Sequence, residues 1–168
     1  AQKRELTEVK DVADSLYEAA GKLTDTSASK SLFKKADKVT NDITSAVKDY
    51  VKNYNSLIEE AADTTNSKVT GKVSFMTGQA NAYKSSLEKV GITINSDKTL
   101  SIDEDTFKKS DISDVKKLFN GSGSMAYQTF VRASDISSAA ENASASVTSY
   151  GADGMYNNYY NSAYNWYL

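Results

Sequence analysis

Oxygen-bearing side chains crowd the stretch VGITINSDKTLSIDEDTF, residues 90–107. Asn95, Asp97, Ser101, Asp103 and Asp105 fall there at the short intervals that calcium ligation uses. The spacing does not make an EF-hand loop. Counted from Asn95, position six is Leu100 where the sharp turn needs Gly, and position twelve is Thr106 where a bidentate Glu is needed. Paired carboxylates suggest a second chemistry, because a glycosidase uses one as acid and one as nucleophile. Glu59-Glu60, Asp103 with Asp105, and Glu141 are the candidates. None of them ends a strand or sits in a stretch that suggests a shielded cleft, so each reads as part of a solvated helix face. The chain has no Cys and no His, which removes thiolate chemistry and the commonest general base and metal ligand. The expectation is a binding protein with no catalytic residues, no cofactor and no metal.

A different constellation closes the sequence. MYNNYYNSAYNWYL, residues 155–168, holds five of the eleven tyrosines and the only Trp. Tyr156, Tyr159, Tyr160, Tyr164, Trp166 and Tyr167 are interleaved with Asn and Ser, as in adhesive surfaces where aromatics stack on sugars and amides bond hydroxyls. These six are the candidate interaction surface. The plainer alternatives for 150–168 are a last helix packing with Met155, Tyr159, Ala163 and Trp166 on one face, or a disordered tail. Tyr50, Tyr54 and Tyr83 lie at helical seam positions and are expected in the core. Asn120-Gly-Ser and Asn142-Ala-Ser match a glycosylation sequon by pattern alone.

The elements that must position these residues follow from periodicity. Leu6, Val9, Ala13, Leu16, Ala20 and Leu23 step by three and four, which predicts a helix over about 3–22. Val47, Tyr50, Tyr54, Leu57 and Ala61, preceded by Val39 and Ile43, predict a second over 30–62, roughly 50 Å long. Val69, Val73, Met76, Ala80, Tyr83, Leu87 and Val90 predict a third over 68–90. Alternation of Ile92, Ile94, Leu100 and Ile102 about Asn95-Ser96-Asp97 predicts a β-hairpin over 91–102, with Asn and Asp tolerating positive φ. Asp103 and Asp111 suit N-caps of short helices ending near Phe107 and Phe119. Ala133, Ile136, Ala140, Ala143 and Val147 carry a last long helix over 125–148, interrupted by Gly151 and Gly154. Narrow seams of this kind predict one mainly α domain, an elongated antiparallel helical bundle with a small hairpin insertion.

Composition limits the partners. The 168 residues carry 20 basic and 22 acidic side chains, a net charge of −2, without a basic stripe for nucleic acid. No run of about 18 apolar residues suits a membrane span, so no membrane insertion is expected. There is no Pro, which fits uninterrupted helices.

Two stretches together carry a family resemblance. VKDYVKNYNSLI, residues 47–58, resembles the helix of flagellar filament-capping (hook-associated) proteins in which an aromatic, a Val and a Tyr-Asn pair precede a coiled coil. Here these are Tyr50, Val51, Tyr54 and Asn55. After an intervening helix, Gly91-Ile92-Thr93, Asp97, Leu100-Ser101-Ile102-Asp103 and Leu118-Phe119-Asn120-Gly121 resemble that family's hairpin, short helix and glycine-rich break. Lys98 stands where the family usually has Gly. The resemblance covers residues 47–140 and implies a non-enzymatic structural protein of the bacterial flagellum. Such a protein is secreted through the flagellar export channel without a cleaved signal, is extracellular, and has flagellin or other axial proteins as partners. It also implies homo-oligomerisation at the filament tip and, in some members, host adhesion. The family's terminal segments are not recognised in the 168 residues. The chain is accordingly expected to be a fragment, a divergent cap protein or a small secreted relative, with an adhesin-like glycan-binding module as the alternative.

Overall fold

The computed structural model describes the backbone of residues 1–153 and the side chains of residues 1–147. The fold is mainly helical, a bundle with one two-stranded antiparallel sheet. Helix α1 spans Gln2–Thr24, α2 Asn41–Ala61 and α3 Ser67–Ala80. A 3-10 turn, Asn81–Tyr83, leads into α4, Lys84–Lys89. Strands β1 (Ile92–Ile94) and β2 (Leu100–Ile102) precede the short helices α5 (Glu104–Lys108) and α6 (Ile112–Phe119), and α7 runs Met125–Asp153.

The long helices pack antiparallel because each presents one apolar seam. All six seam residues of α1 are buried. Helix α7 runs back along α1, so that Gly21 faces Phe130, Asp14 meets Ser137 and Thr7 meets Ser144. On α1's other side α2 also runs antiparallel, bringing Glu60 beside Glu8. Helix α3 returns along α7, with Phe75 against Arg132. The Gly21–Phe130 contact is tight: a Cβ at Gly21 would lie 3.0 Å from the Phe130 ring, which also stacks on Tyr17 at 4.2 Å.

Three expected boundaries are corrected. The second helix does not begin near residue 30. Residues 25–40 are turns and irregular backbone, because short polar side chains there bond the local backbone instead of leaving it to a helix. Ser27 N donates to Asp25 Oδ1 and Phe33 N to Ser31 Oγ, while Phe33 itself is buried as an anchor. Thr40 is the true N-cap, accepting from Ile43 N at 3.1 Å, and α2 is therefore about 31 Å long. The third helix is broken at 81–83, where tightening to 3-10 geometry turns α4 toward the hairpin. The last helix continues through Gly151 to Asp153.

The hairpin forms as its alternation requires, pairing Ile92 with Ile102 and Ile94 with Leu100, with Ile92 and Leu100 buried. Its turn differs in one respect. The left-handed residue is Lys98 at φ 76°, not Asn or Asp. Lys98 N donates to Asn95 O and Asn95 N to Thr99 O, the pattern of a three-residue loop closed by a left-handed residue. At the hairpin's entrance Gly91 has φ +81°, and a Cβ there would lie 2.8 Å from Thr106 Cβ and 3.0 Å from Asp103 O. Only glycine fits that crossing. Asp103 and Asp111 cap α5 and α6 as expected, accepting from Thr106 N at 3.1 Å and Ser113 N at 2.8 Å.

Candidate interaction surfaces and the helix–hairpin joint

The oxygen-rich hairpin spends its side chains on itself. Asp97 Oδ1 accepts from Thr99 N and from Thr99 Oγ1, and these bonds hold its carboxyl below the usual range. Asn95 Nδ2 donates to Thr99 Oγ1 and Ser101 Oγ. Asp103 is engaged as a cap. Among the described residues no group of three or more acidic, His or Cys side chains could hold a metal ion.

The carboxylates considered for acid–base work are dispersed. Glu60, with Glu59 beside it in sequence, lies near the end of α2, where burial first and then Glu8 and Asp63 push its carboxyl up. Asp103 and Asp105 belong to the start of α5, and Glu141 lies on the exposed side of α7 near Lys10. Glu104 is engaged by Lys48 and Lys108, whose hydrogen bonds lower its pKa.

What the fold does bring together is the pair of stretches around Tyr50–Asn55 and Leu100–Phe119. Asn55, half-buried on α2, holds Leu100 with both ends of its amide. Its Nδ2 donates to Leu100 O at 2.9 Å and its Oδ1 accepts from Leu100 N at 2.7 Å. The side chain thus stands in for a neighbouring strand and satisfies both polar groups of a sheet edge. Tyr50 is fully buried, its ring edge-on to Phe119 at 5.6 Å and its hydroxyl 2.7 Å from Thr129 Oγ1. Tyr54 lies 5.9 Å from Tyr50, equally buried, and its hydroxyl has no partner among the described residues. Burial pushes both phenols up. The seam tyrosines are core, as their spacing predicts, except that Tyr83 is only half-buried. Asn55's role has no local signature, since its partner is 45 residues away.

Among the described residues two features offer surface for contact with other molecules. An open groove of about 900 Å³ lies between the start of α3 and the second half of α7. Ala139, Ala143 and Val147 contribute its apolar side, with Lys68 and Lys72 opposite. Phe75, 54% exposed under the Arg132 guanidinium at 4.9 Å, packs between the same two helices. The second feature is a stack of Tyr17, Phe130 and Tyr127 along α1 and α7, its two tyrosines exposed. The sequence-predicted surface of Tyr156, Tyr159, Tyr160, Tyr164, Trp166 and Tyr167 lies outside the described residues. Among the described residues no helix is long and apolar enough to cross a membrane.

Comparison of the sequence and fold with protein-family models, with curated proteins and with solved structures finds no match.

Proposed function

We propose that this protein is a non-enzymatic structural and interaction protein of the bacterial flagellum, of the filament-cap type, working outside the cell through helical surfaces that engage flagellin, another axial protein or a second copy of itself. One observation carries the reading. The two stretches in which the resemblance resides, the Tyr-Asn helix and the Leu-Ser-Ile-Asp hairpin, meet through Asn55 and Leu100. Their co-occurrence in one sequence then has a physical reason: the amide of one is the strand partner of the other. The left-handed φ of Lys98, at the position where the resembled family usually has Gly, points the same way. Asp97, Asp103 and Asp111 are engaged in a turn and two caps, and Tyr50 and Tyr54 in the core, which suits a scaffold.

Light scattering combined with small-angle scattering, across a wide concentration range and with and without purified flagellin, tests the reading. Assembly into a defined oligomer, or a complex with flagellin, is the expected result. A monomer at every concentration that ignores flagellin would remove the cap reading for this protein and favour the adhesin-like module.

A further inference from the structure

The glycine-rich break after α6 contains the only Asn-Gly pair in the sequence, Asn120–Gly121. This dipeptide is the one most prone to spontaneous deamidation, because glycine has no Cβ to shield its backbone nitrogen. In that reaction Gly121 N, deprotonated by hydroxide, attacks Asn120 Cγ. A bond from Gly121 N to Cγ closes the ring, the bond from Cγ to Nδ2 breaks, and the nitrogen leaves as ammonia after taking a proton from solvent. Water then opens the cyclic imide at either carbonyl, leaving aspartate or, with an extra methylene in the backbone, isoaspartate.

The folded protein withholds both reacting atoms. Asn120 Nδ2 donates to Leu23 O at 2.7 Å and to Asp25 O at 3.2 Å, so the amide is tied to the last turn of α1. The Asn120 backbone is extended, φ −119° and ψ 135°, with its own N–H bonded to Lys116 O. At that ψ the Gly121 nitrogen points away from Cγ, and closing the ring requires rotating the backbone between α6 and α7 and releasing the side chain from α1. The product is incompatible with the clamp. A carboxylate at position 120 has no proton to donate and would face the Leu23 and Asp25 carbonyl oxygens at the negative end of the α1 dipole.

We propose that Asn120 is a fold-gated modification site: its deamidation is suppressed while the joint of α1, α6 and α7 is closed, and each conversion releases that joint irreversibly. In a long-lived molecule it records the time spent locally open. This chemistry needs no partner and stands apart from the flagellar reading.

The test is to incubate the full 168-residue protein in mildly alkaline buffer, folded and in denaturant, and follow the peptide containing Asn120 by mass. Conversion in the folded protein is expected to be slower by roughly tenfold or more, as for any reaction that needs local opening. Equal rates would overturn the gating. Asn120→Asp stands for the product and Asn120→Ala for simple loss of the donor. The Asp variant is expected to have the lower urea midpoint of the two. An Asp variant as stable as the parent would overturn the release of the joint, and the rate comparison holds even if that variant does not fold.

Discussion

Where the hairpin lies along α2 and where α6 meets the end of α1, hydrogen bonds at Asn55, Gly91 and Asn120 hold backbone groups of separate segments in place. At the open end, where α1 begins and the described part of α7 finishes, the contacts are of another kind. Leu6, Val9 and Ala140 are buried, but Ala143 and Val147 are only partly covered, and polar contacts such as Thr7 with Ser144 lie at the surface. The groove opens on this side, and the acidic residues Glu8, Glu59, Glu60 and Asp63 gather here. The difference separates what specifies the fold from what is left adaptable. Side-chain-to-backbone bonds fix one register and tolerate no slippage, whereas a seam of small residues beside an open groove constrains its neighbours less. Local opening should therefore be easiest at the open end, and hydrogen exchange would map the gradient.

Breaking the clamp between α2 and the hairpin should cost most. Asn55→Ala removes both bonds to Leu100 and leaves a strand N–H and C=O unpaired in a half-buried place. The expected loss is about 2–3 kcal/mol, read as a lower urea midpoint. Faster exchange confined at first to residues 92–102 would show that Asn55 clamps the hairpin; unchanged protection there would refute that.

The tyrosine pair sharpens the comparison within the core itself. Tyr50 and Tyr54 share the same helix face and the same burial, yet among the described residues only Tyr50 has a hydroxyl partner. Tyr50→Phe is expected to destabilise by about 1 kcal/mol, because it strips a buried bond from Thr129. Tyr54→Phe removes a buried hydroxyl that bonds none of the described residues and should be neutral or stabilising, by up to about 1 kcal/mol. Equal losses in thermal unfolding of the two variants would mean that Tyr54 has a partner.

These residues also show how far the sequence could be read. The seams of α1 and α2 are legible because burial on one face leaves a period, and every seam residue of α1 from Leu6 to Leu23 is buried. The hairpin and the Asp103 and Asp111 caps are legible because their partners lie within a few residues. Residues 25–40 misled because Val39 and Ile43 continue the helical spacing backward, while the decisive competition from Asp25 and Ser31 is local and polar. Thr40, three residues before Ile43, was the available signal for the true start. The left-handed residue of the turn fell on Lys98, since the loop's hydrogen bonds, not its composition, choose that position. Asn55 could be quoted as part of a motif, but its work depends on a strand 45 residues away, which no local pattern encodes.

The smallest effect belongs to the open end and depends on pH. Glu60 has its carboxyl pushed up, by burial first and then by Glu8 and Asp63. A carboxyl with a raised pKa in the folded state binds its proton more tightly than in the unfolded one, so its ionised form opposes folding. Lowering the pH from neutral through that raised value therefore adds stability. Asp25, Asp97, Glu104 and Asp111 run the other way. Hydrogen bonds hold their pKa values down, so the stability they contribute is present above the ordinary carboxylate range, about pH 4, and is lost as pH falls through the depressed values. Asp14 joins them: burial pushes its carboxyl up but is outweighed by hydrogen bonds from Lys10 and Ser137. Stability should then be greatest at mildly acidic pH and fall on further acidification. Glu60→Gln should raise stability at neutral pH by no more than about 0.5 kcal/mol, given solvent screening, and flatten the rise between neutral and mildly acidic pH while leaving the acid-side fall intact. A urea midpoint for Glu60→Gln that still rises as the parent's does would locate the effect elsewhere, and the open end would lose its claim to be the electrostatically strained one.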